Sequence, residues 1–390
     1  MRGSRCRFSM PALTPHGERR TPAGVAWRTR STGGHTATLV TRVVDDTRAP
    51  VGLPAPRGEM SRFLLERLQG WPGDWAPAPP VPLDPRRGED FHLSLYLCYE
   101  LHYGGLDGVD DAWEWDPSLL ELRARLERAF EASLLEDLGA VDAPASPGGD
   151  SSADVASALR ALGERDGGGP SIAGHVARSA SLEQVRELVV QRSAYQLKEA
   201  DPHSWLIPRL RGAPKTALVE VQFDEYGAGD AARLHQTLYR EAMEALELDG
   251  RPGAYLDLIP GVTLATANLA SLLGLHRRWR GASVGHLALI EMTSSDANRR
   301  YANGLRRLGL GTAVTAFYDE HVEADALHDA IAVNDVAGAL ALEEPELGPQ
   351  IVFGARALLA VEARFAEHLL DCWRGAETSL REGLVASGAA

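Results

Sequence analysis

Beyond residue 180 the chain alternates between long stretches with the apolar period of a helix and short breaks at glycine or proline. The clearest helical stretches span 214–247, 253–275, 281–309, 311–329, 332–341 and 347–385. The breaks include Pro252–Gly253 and Gly309–Gly311, as expected for short loops between antiparallel helices. Runs that alternate in polarity at every second residue are nearly absent, apart from a short ALVEVQF segment that is compatible with helix or strand. The pattern predicts an all-α fold.

Composition divides the chain into four segments. Residues 1–57 form an Arg-rich tail with no apolar signal-peptide core, and we expect this tail to be disordered. Residues 58–142 predict a helical N-terminal extension, since apolar side chains repeat at helical spacing after Pro117. Residues 143–180 contain two stretches rich in Gly, Pro, Ser and Asp, which predict a linker. Residues 181–390 then form the main helical domain.

Charge and cysteine content exclude several classes of partner. The formal net charge of −14 disfavours a surface that binds phosphate backbones, so no nucleic-acid partner is expected. No stretch reaches the roughly 18–20 apolar residues of a membrane span. Cys6, Cys98 and Cys372 are too far apart in the sequence for a CxxC metal site and suggest no disulfide framework. We therefore expect a cytoplasmic protein with no nucleic-acid or membrane partner.

One helical stretch carries three side chains that can bind a metal. In FYDEHVEADALHDA, His321, Asp325 and His328 are spaced i, i+4 and i+7. At about 100° per residue they fall within roughly 60° around the helix axis. Imidazole and carboxylate ligands suit iron, manganese or zinc. The alternative interpretation is a solvated face of a helix in an acidic protein.

Further ligands must come from neighbouring helices. Glu291 follows an apolar run, so it predicts either an inward-facing ligand or a boundary residue paired with an arginine. Glu225 and His235 lie about 80° apart on an ideal helix, which is poor for one site. Gly227 and Gly229 between them would permit a local break that turns one of the two side chains.

The combined series Glu225-x9-His235, then Glu291, then His321-x3-Asp325-x2-His328 resembles the haem-oxygenase-like di-iron oxidases and oxygenases, often called iron-containing redox enzymes. The resemblance covers roughly residues 181–384. It implies a seven-helix bundle in which three core helices hold two Fe(II)/Fe(III) ions, with O₂ as co-substrate. It also implies an external electron donor and a homodimer, with residues 58–142 as the helical extension that some members carry.

Glu199 distinguishes between branches of that family. It precedes Glu225 by 26 residues, and the N-oxygenating branch is similar in having an extra carboxylate ligand at this separation. The resemblance thus implies oxygenation of an amino acid or small amine at nitrogen. Alternatives are a desaturase, C–C lyase or decarboxylase on the same scaffold, and a non-catalytic helical binding protein. Four further residues are expected to contact the ligands without binding the metal themselves: Asp319, Glu320, Arg299 and Arg300.

Overall fold

The fold is described by a computed structural model for residues 52–73, 77–82, 84–141, 151–166 and 171–382, without the side chains of residues 151, 165, 166 and 325–327. The predicted tail lies almost wholly outside the described residues. All regular structure in the described ranges is helical, which confirms the all-α prediction. None of these helices has the length and apolar composition needed to cross a bilayer.

The extension and the segment after it contain five helices. They are α1 (Glu59–Leu68), α2 (Glu89–Glu100), α3 (Pro117–Leu138), α4 (Ser151–Asp166) and α5 (Ile172–Arg178). The start of α3 has a local cause, because the Asp116 side chain accepts hydrogen bonds from Ser118 N and Leu119 N and Pro117 occupies the first turn. Both α4 and α5 fall inside the predicted linker. They pack against α14 and α11, respectively.

The remaining helices form the main domain. They are α6 (Leu182–Gln196), α7 (Asp201–Ser204), α8 (Gly212–Glu225), α9 (His235–Ala245), α10 (Gly261–Leu275), α11 (Arg280–Arg307), α12 (Thr312–Ala330), α13 (Ala339–Glu343) and α14 (Gly348–Arg374). The segment ALVEVQF lies inside α8 and is helical. Between α12 and α13 the helix continues without a break as a π-helical segment, Ile331–Gly338.

The centre of the domain is α11, which packs against α12 on one side and α14 on another. The crossing of α11 and α14 is very close at Gly285, where an added methyl group would overlap the carbonyl oxygen of Ile351. Next to this crossing, α10 packs on α2, α6 and α14, and nearly all of its side chains are buried. Two apolar clusters therefore each contain side chains from both the extension and the main domain.

Candidate metal centre

A break between two helices brings Glu225 and His235 together. Glu225 is the last residue of α8 and His235 is the first residue of α9, so the two are not constrained by one helical register. Gly227 makes the turn possible: its φ is +74°, and a Cβ there would lie 2.6 Å from the backbone nitrogen of Leu234. Nδ1 of His235 consequently lies 2.9 Å from Oε2 of Glu225.

The other predicted residues come from three places. His321 and His328 lie on α12, seven residues apart on the same face, and Glu291 lies on α11. Glu199 lies in the turn between α6 and α7. Asp325 belongs to α12, but its side chain lies outside the described residues.

These side chains form two groups with one member in common. In the first group, one oxygen or nitrogen atom each from Glu199, Glu225, His235 and His321 lies within 4.8 Å of the other three. In the second, the same limit holds for Glu225, Glu291 and His328. Because Glu225 belongs to both groups, it is the residue that would connect ions held by the two groups.

The chemistry of the cluster fits a metal better than it fits a structural network. Three carboxylates are buried here within contact of imidazoles, and a bound cation would offset their like charges. Oε2 of Glu199 and Nδ1 of His235 are buried, and each lies next to another member of the cluster, His321 and Glu225 respectively. Nitrogen and oxygen donors of this kind are suited to iron, manganese or zinc.

Two of the imidazoles have a hydrogen-bond partner at the ring nitrogen that points away from the cluster, so the other ring nitrogen faces the cluster. Nδ1 of His321 lies 2.7 Å from the carbonyl oxygen of Phe317, to which it donates when protonated, and its Nε2 lies 3.4 Å from Oε2 of Glu199. Nε2 of His328 lies 3.1 Å from Oδ2 of Asp224, and its Nδ1 lies 3.4 Å from Oε2 of Glu291. Such contacts fix the tautomer and the ring orientation of a metal-binding histidine.

Asp224 is thus a site residue that the sequence reasoning missed. The four residues expected in this supporting role form ion pairs with other side chains instead. Arg299 and Arg300 both contact Asp296, whereas Asp319 contacts Arg306 and Glu320 contacts Arg233. The only signal for Asp224 in the sequence was its place directly before Glu225 at the end of a helix.

Without a metal ion, the pKa shifts favour an ionised carboxylate at Glu199, a protonated imidazole at His328 and proton binding at Glu291. Burial disfavours charge on Glu199, but the neighbouring imidazole of His321 keeps the pKa of Glu199 below its ordinary value. Burial also opposes charge on His328, yet its contacts with Glu291 and Asp224 raise the pKa of His328 to about 9. Burial raises the pKa of Glu291. Metal binding would displace these protons.

A cavity of about 750 Å³ opens beside the cluster. Glu199, Glu225, Glu291 and His321 lie in its wall. Farther along the wall, Arg192 of α6 forms two hydrogen bonds to Glu362 of α14, at 2.7 and 2.6 Å. The volume lies within the range of small-molecule sites.

Comparison with known proteins assigns the domain. Residues 186–363 match the family described as iron-containing redox enzymes, and this stretch contains all seven predicted ligands. This part of the chain belongs to the iron-containing redox enzyme family. The predicted haem-oxygenase-like fold of the domain is thereby confirmed, and the family implies iron as the metal at the carboxylate–imidazole cluster.

The chain is also similar to a curated protein, the nitrosourea synthase of Streptomyces achromogenes subsp. streptozoticus. The two sequences are 26% identical over 210 residues. The alignment covers 52% of this chain and 44% of the synthase, so the chain matches less than half of that protein's length.

Proposed function

We propose that this iron-containing redox enzyme is a non-haem di-iron oxygenase that uses O₂ to oxygenate the nitrogen of an amino acid or small amine. The observation that carries the proposal is the position of Glu199. Its carboxylate joins the group of Glu225, His235 and His321 and adds an oxygen donor, whose Oε2 lies 3.4 Å from Nε2 of His321. Its side chain is only 12% exposed. This is the extra carboxylate that the resemblance to the N-oxygenating branch leads us to expect.

The named relative supports chemistry at nitrogen. A nitrosourea carries oxygen on nitrogen, and the synthase named for this product is 26% identical to this chain over 210 residues. Iron bound in the cluster supplies the redox chemistry that activates O₂, with electrons from an external donor. The protein's own contribution is to hold the donor atoms, fix the imidazole tautomers and offset the charge of two cations.

The wall of the cavity supports a polar substrate. The paired charges of Arg192 and Glu362 lie in the same cavity as the metal-binding side chains. Because the two groups neutralise each other, they give this part of the wall a polar ion pair, which suits a polar ligand better than a long acyl chain. We therefore place amino acids and small amines ahead of fatty acids.

The test is a single turnover with ¹⁸O₂. The enzyme is loaded with iron without air, reduced, and mixed with ¹⁸O₂ and a panel of amino acids, amines and fatty acids. We expect ¹⁸O on a substrate nitrogen, and we expect Glu199→Ala to abolish this product while it still binds iron through the remaining ligands. Products changed only at carbon, whether by desaturation, C–C cleavage or decarboxylation, would contradict N-oxygenation. A protein that binds no iron and consumes no O₂ would be a binding protein.

A further inference from the structure

A buried charge pair outside the cluster joins the N-terminal extension to the turn that carries Glu199. Nζ of Lys198 contacts Oε2 of Glu100 on α2, and the two side chains are 7% and 11% exposed. The same ammonium group lies 4.2 Å from the ring centre of Tyr96 and 4.7 Å from that of Tyr103. One carboxylate and two aromatic faces therefore surround a charge that could not be buried alone.

The three partners of Lys198 share one face of α2 and the turn after it. Tyr96, Glu100 and Tyr103 are spaced i, i+4 and i+7. Tyr96 also donates its hydroxyl hydrogen to the carbonyl oxygen of Ala194 at 3.2 Å. That carbonyl is one of the last four of α6, which a helix leaves without an intrahelical partner. The face formed by these three residues thus closes the C-terminal end of α6.

Lys198 and Glu199 are adjacent in a short turn whose backbone is held at both ends. Lys198 N donates to Tyr195 O at 2.9 Å, and Asp201 N donates to Lys198 O at 3.1 Å. Fixing the Lys198 side chain on α2 therefore restricts the neighbouring Cα of Glu199. The carboxylate of Glu199 then reaches the cluster, where His321 Nε2 lies 3.4 Å from its Oε2.

We propose that Glu100 and Lys198 are positioning residues, which hold Glu199 at the metal cluster through the turn at residues 197–200. On this proposal α2 of the N-terminal extension is part of the scaffold of the metal site. The proposal rests on the proposed function, because it takes Glu199 to be a ligand. Neither Glu100 nor Lys198 touches the cluster itself, so neither is a catalytic residue.

The first test is a thermodynamic cycle on metal affinity in the full chain. Anaerobic Co(II) titrations against a competing chelator are made on Glu100→Gln, Glu199→Gln and the double variant. We expect Glu100→Gln to weaken binding about 10-fold, as loss of a supporting contact does. In the Glu199→Gln background the same change should have no further effect, because it acts through Glu199.

The matched control is Glu131→Gln in α3. Glu131 also joins the extension to the main domain, since its Oε1 accepts hydrogen bonds from Arg278 and from Trp279 at 2.8 Å. Its side chain is 14% exposed, similar to that of Glu100. We expect Glu131→Gln to leave the Co(II) affinity unchanged. If Glu100→Gln does not fold, the double variant Glu100→Leu/Lys198→Met takes its place in the cycle, because this variant removes both buried charges together.

A second measurement needs no metal. Hydrogen exchange of the metal-free protein should be faster at residues 197–200 in Glu100→Gln than in Glu131→Gln. Unchanged exchange there, or an equal loss of Co(II) affinity in the wild-type and Glu199→Gln backgrounds, would overturn the positioning role. If Glu199→Gln weakens binding and Glu100→Gln does not, this proposal alone is wrong. If Glu199→Gln leaves the affinity unchanged, the ligand role of Glu199 falls, and this proposal falls with it.

Discussion

Removing the carboxylate of Asp224 should weaken metal binding at the group that contains His328. Oδ2 of Asp224 lies 3.1 Å from Nε2 of His328, on the opposite side of the ring from the nitrogen that faces Glu291. In Asp224→Ala the imidazole loses the partner that fixes its tautomer, so that part of the population presents the wrong nitrogen to the metal. The ring is also less restricted in orientation, so ordering it when the metal binds costs additional free energy.

The expected loss of metal affinity follows from how exposed the contact between Asp224 and His328 is. Loss of such a carboxylate partner costs roughly 10–100-fold in metal affinity, which is about 1.4–2.7 kcal/mol. The side chain of Asp224 is 46% exposed, so solvent screens part of its charge and we expect a loss near the lower limit, about 10-fold. Asp224→Asn keeps an oxygen that can accept from Nε2, and about threefold is expected for the loss of charge alone.

The assay is an anaerobic Co(II) titration that resolves two binding steps, with His328→Ala used to identify the step that depends on His328. The control is Glu220→Ala, which removes an exposed carboxylate four residues earlier on the same helix. If Asp224→Ala and Glu220→Ala weaken binding equally, long-range charge explains the effect. The support of His328 by Asp224 would then be refuted.

Three further predictions concern stability. Burial lowers the pKa of His92 to about 4, below its value of ~6.5 in the unfolded chain, so the unfolded state binds the proton more tightly. Wild-type stability should therefore lose roughly 3 kcal/mol between pH 6.5 and 4 from this group, and urea unfolding of His92→Gln should lack that loss. Gly285→Ala should cost ~1–3 kcal/mol in urea unfolding because its methyl group meets the Ile351 carbonyl, whereas Gly311→Ala, which has open space, should cost little. Free Fe(II) at about 100 times its dissociation constant should raise the free energy of unfolding by ~2.7 kcal/mol per occupied site, and a thermal shift that chelator does not reverse would contradict this.

The sequence predicted the helices well because their apolar period is set by local geometry. The helix that starts at Pro117 and the long helices α11, α12 and α14 could all be predicted from spacing and from glycine or proline at their ends. It did not predict α4, because SSADVASALRALGERD lies between Gly-rich stretches and is weakly apolar. Its helix is supported by packing against α14 and the π-helical segment, which are distant in the sequence.

The candidate cluster was predictable only in part. The spacing on α12 indicated that His321 and His328 share a face, and Gly227 and Gly229 indicated the break that unites Glu225 with His235. Asp224 could not be distinguished from a solvated helix end, since its role depends on a contact with a residue 104 positions later. The contact between Glu100 and Lys198 spans 98 positions and depends likewise on tertiary packing.

The central claim is that two groups of ligands sharing Glu225 hold two iron ions. Iron content and Mössbauer spectra after anaerobic loading with ⁵⁷Fe(II) test it directly. We expect two irons per chain in the wild type, one in His328→Ala, and none tightly bound in Glu225→Ala. Saturation of the wild type at one iron, or two irons retained in Glu225→Ala, would contradict the shared di-iron site.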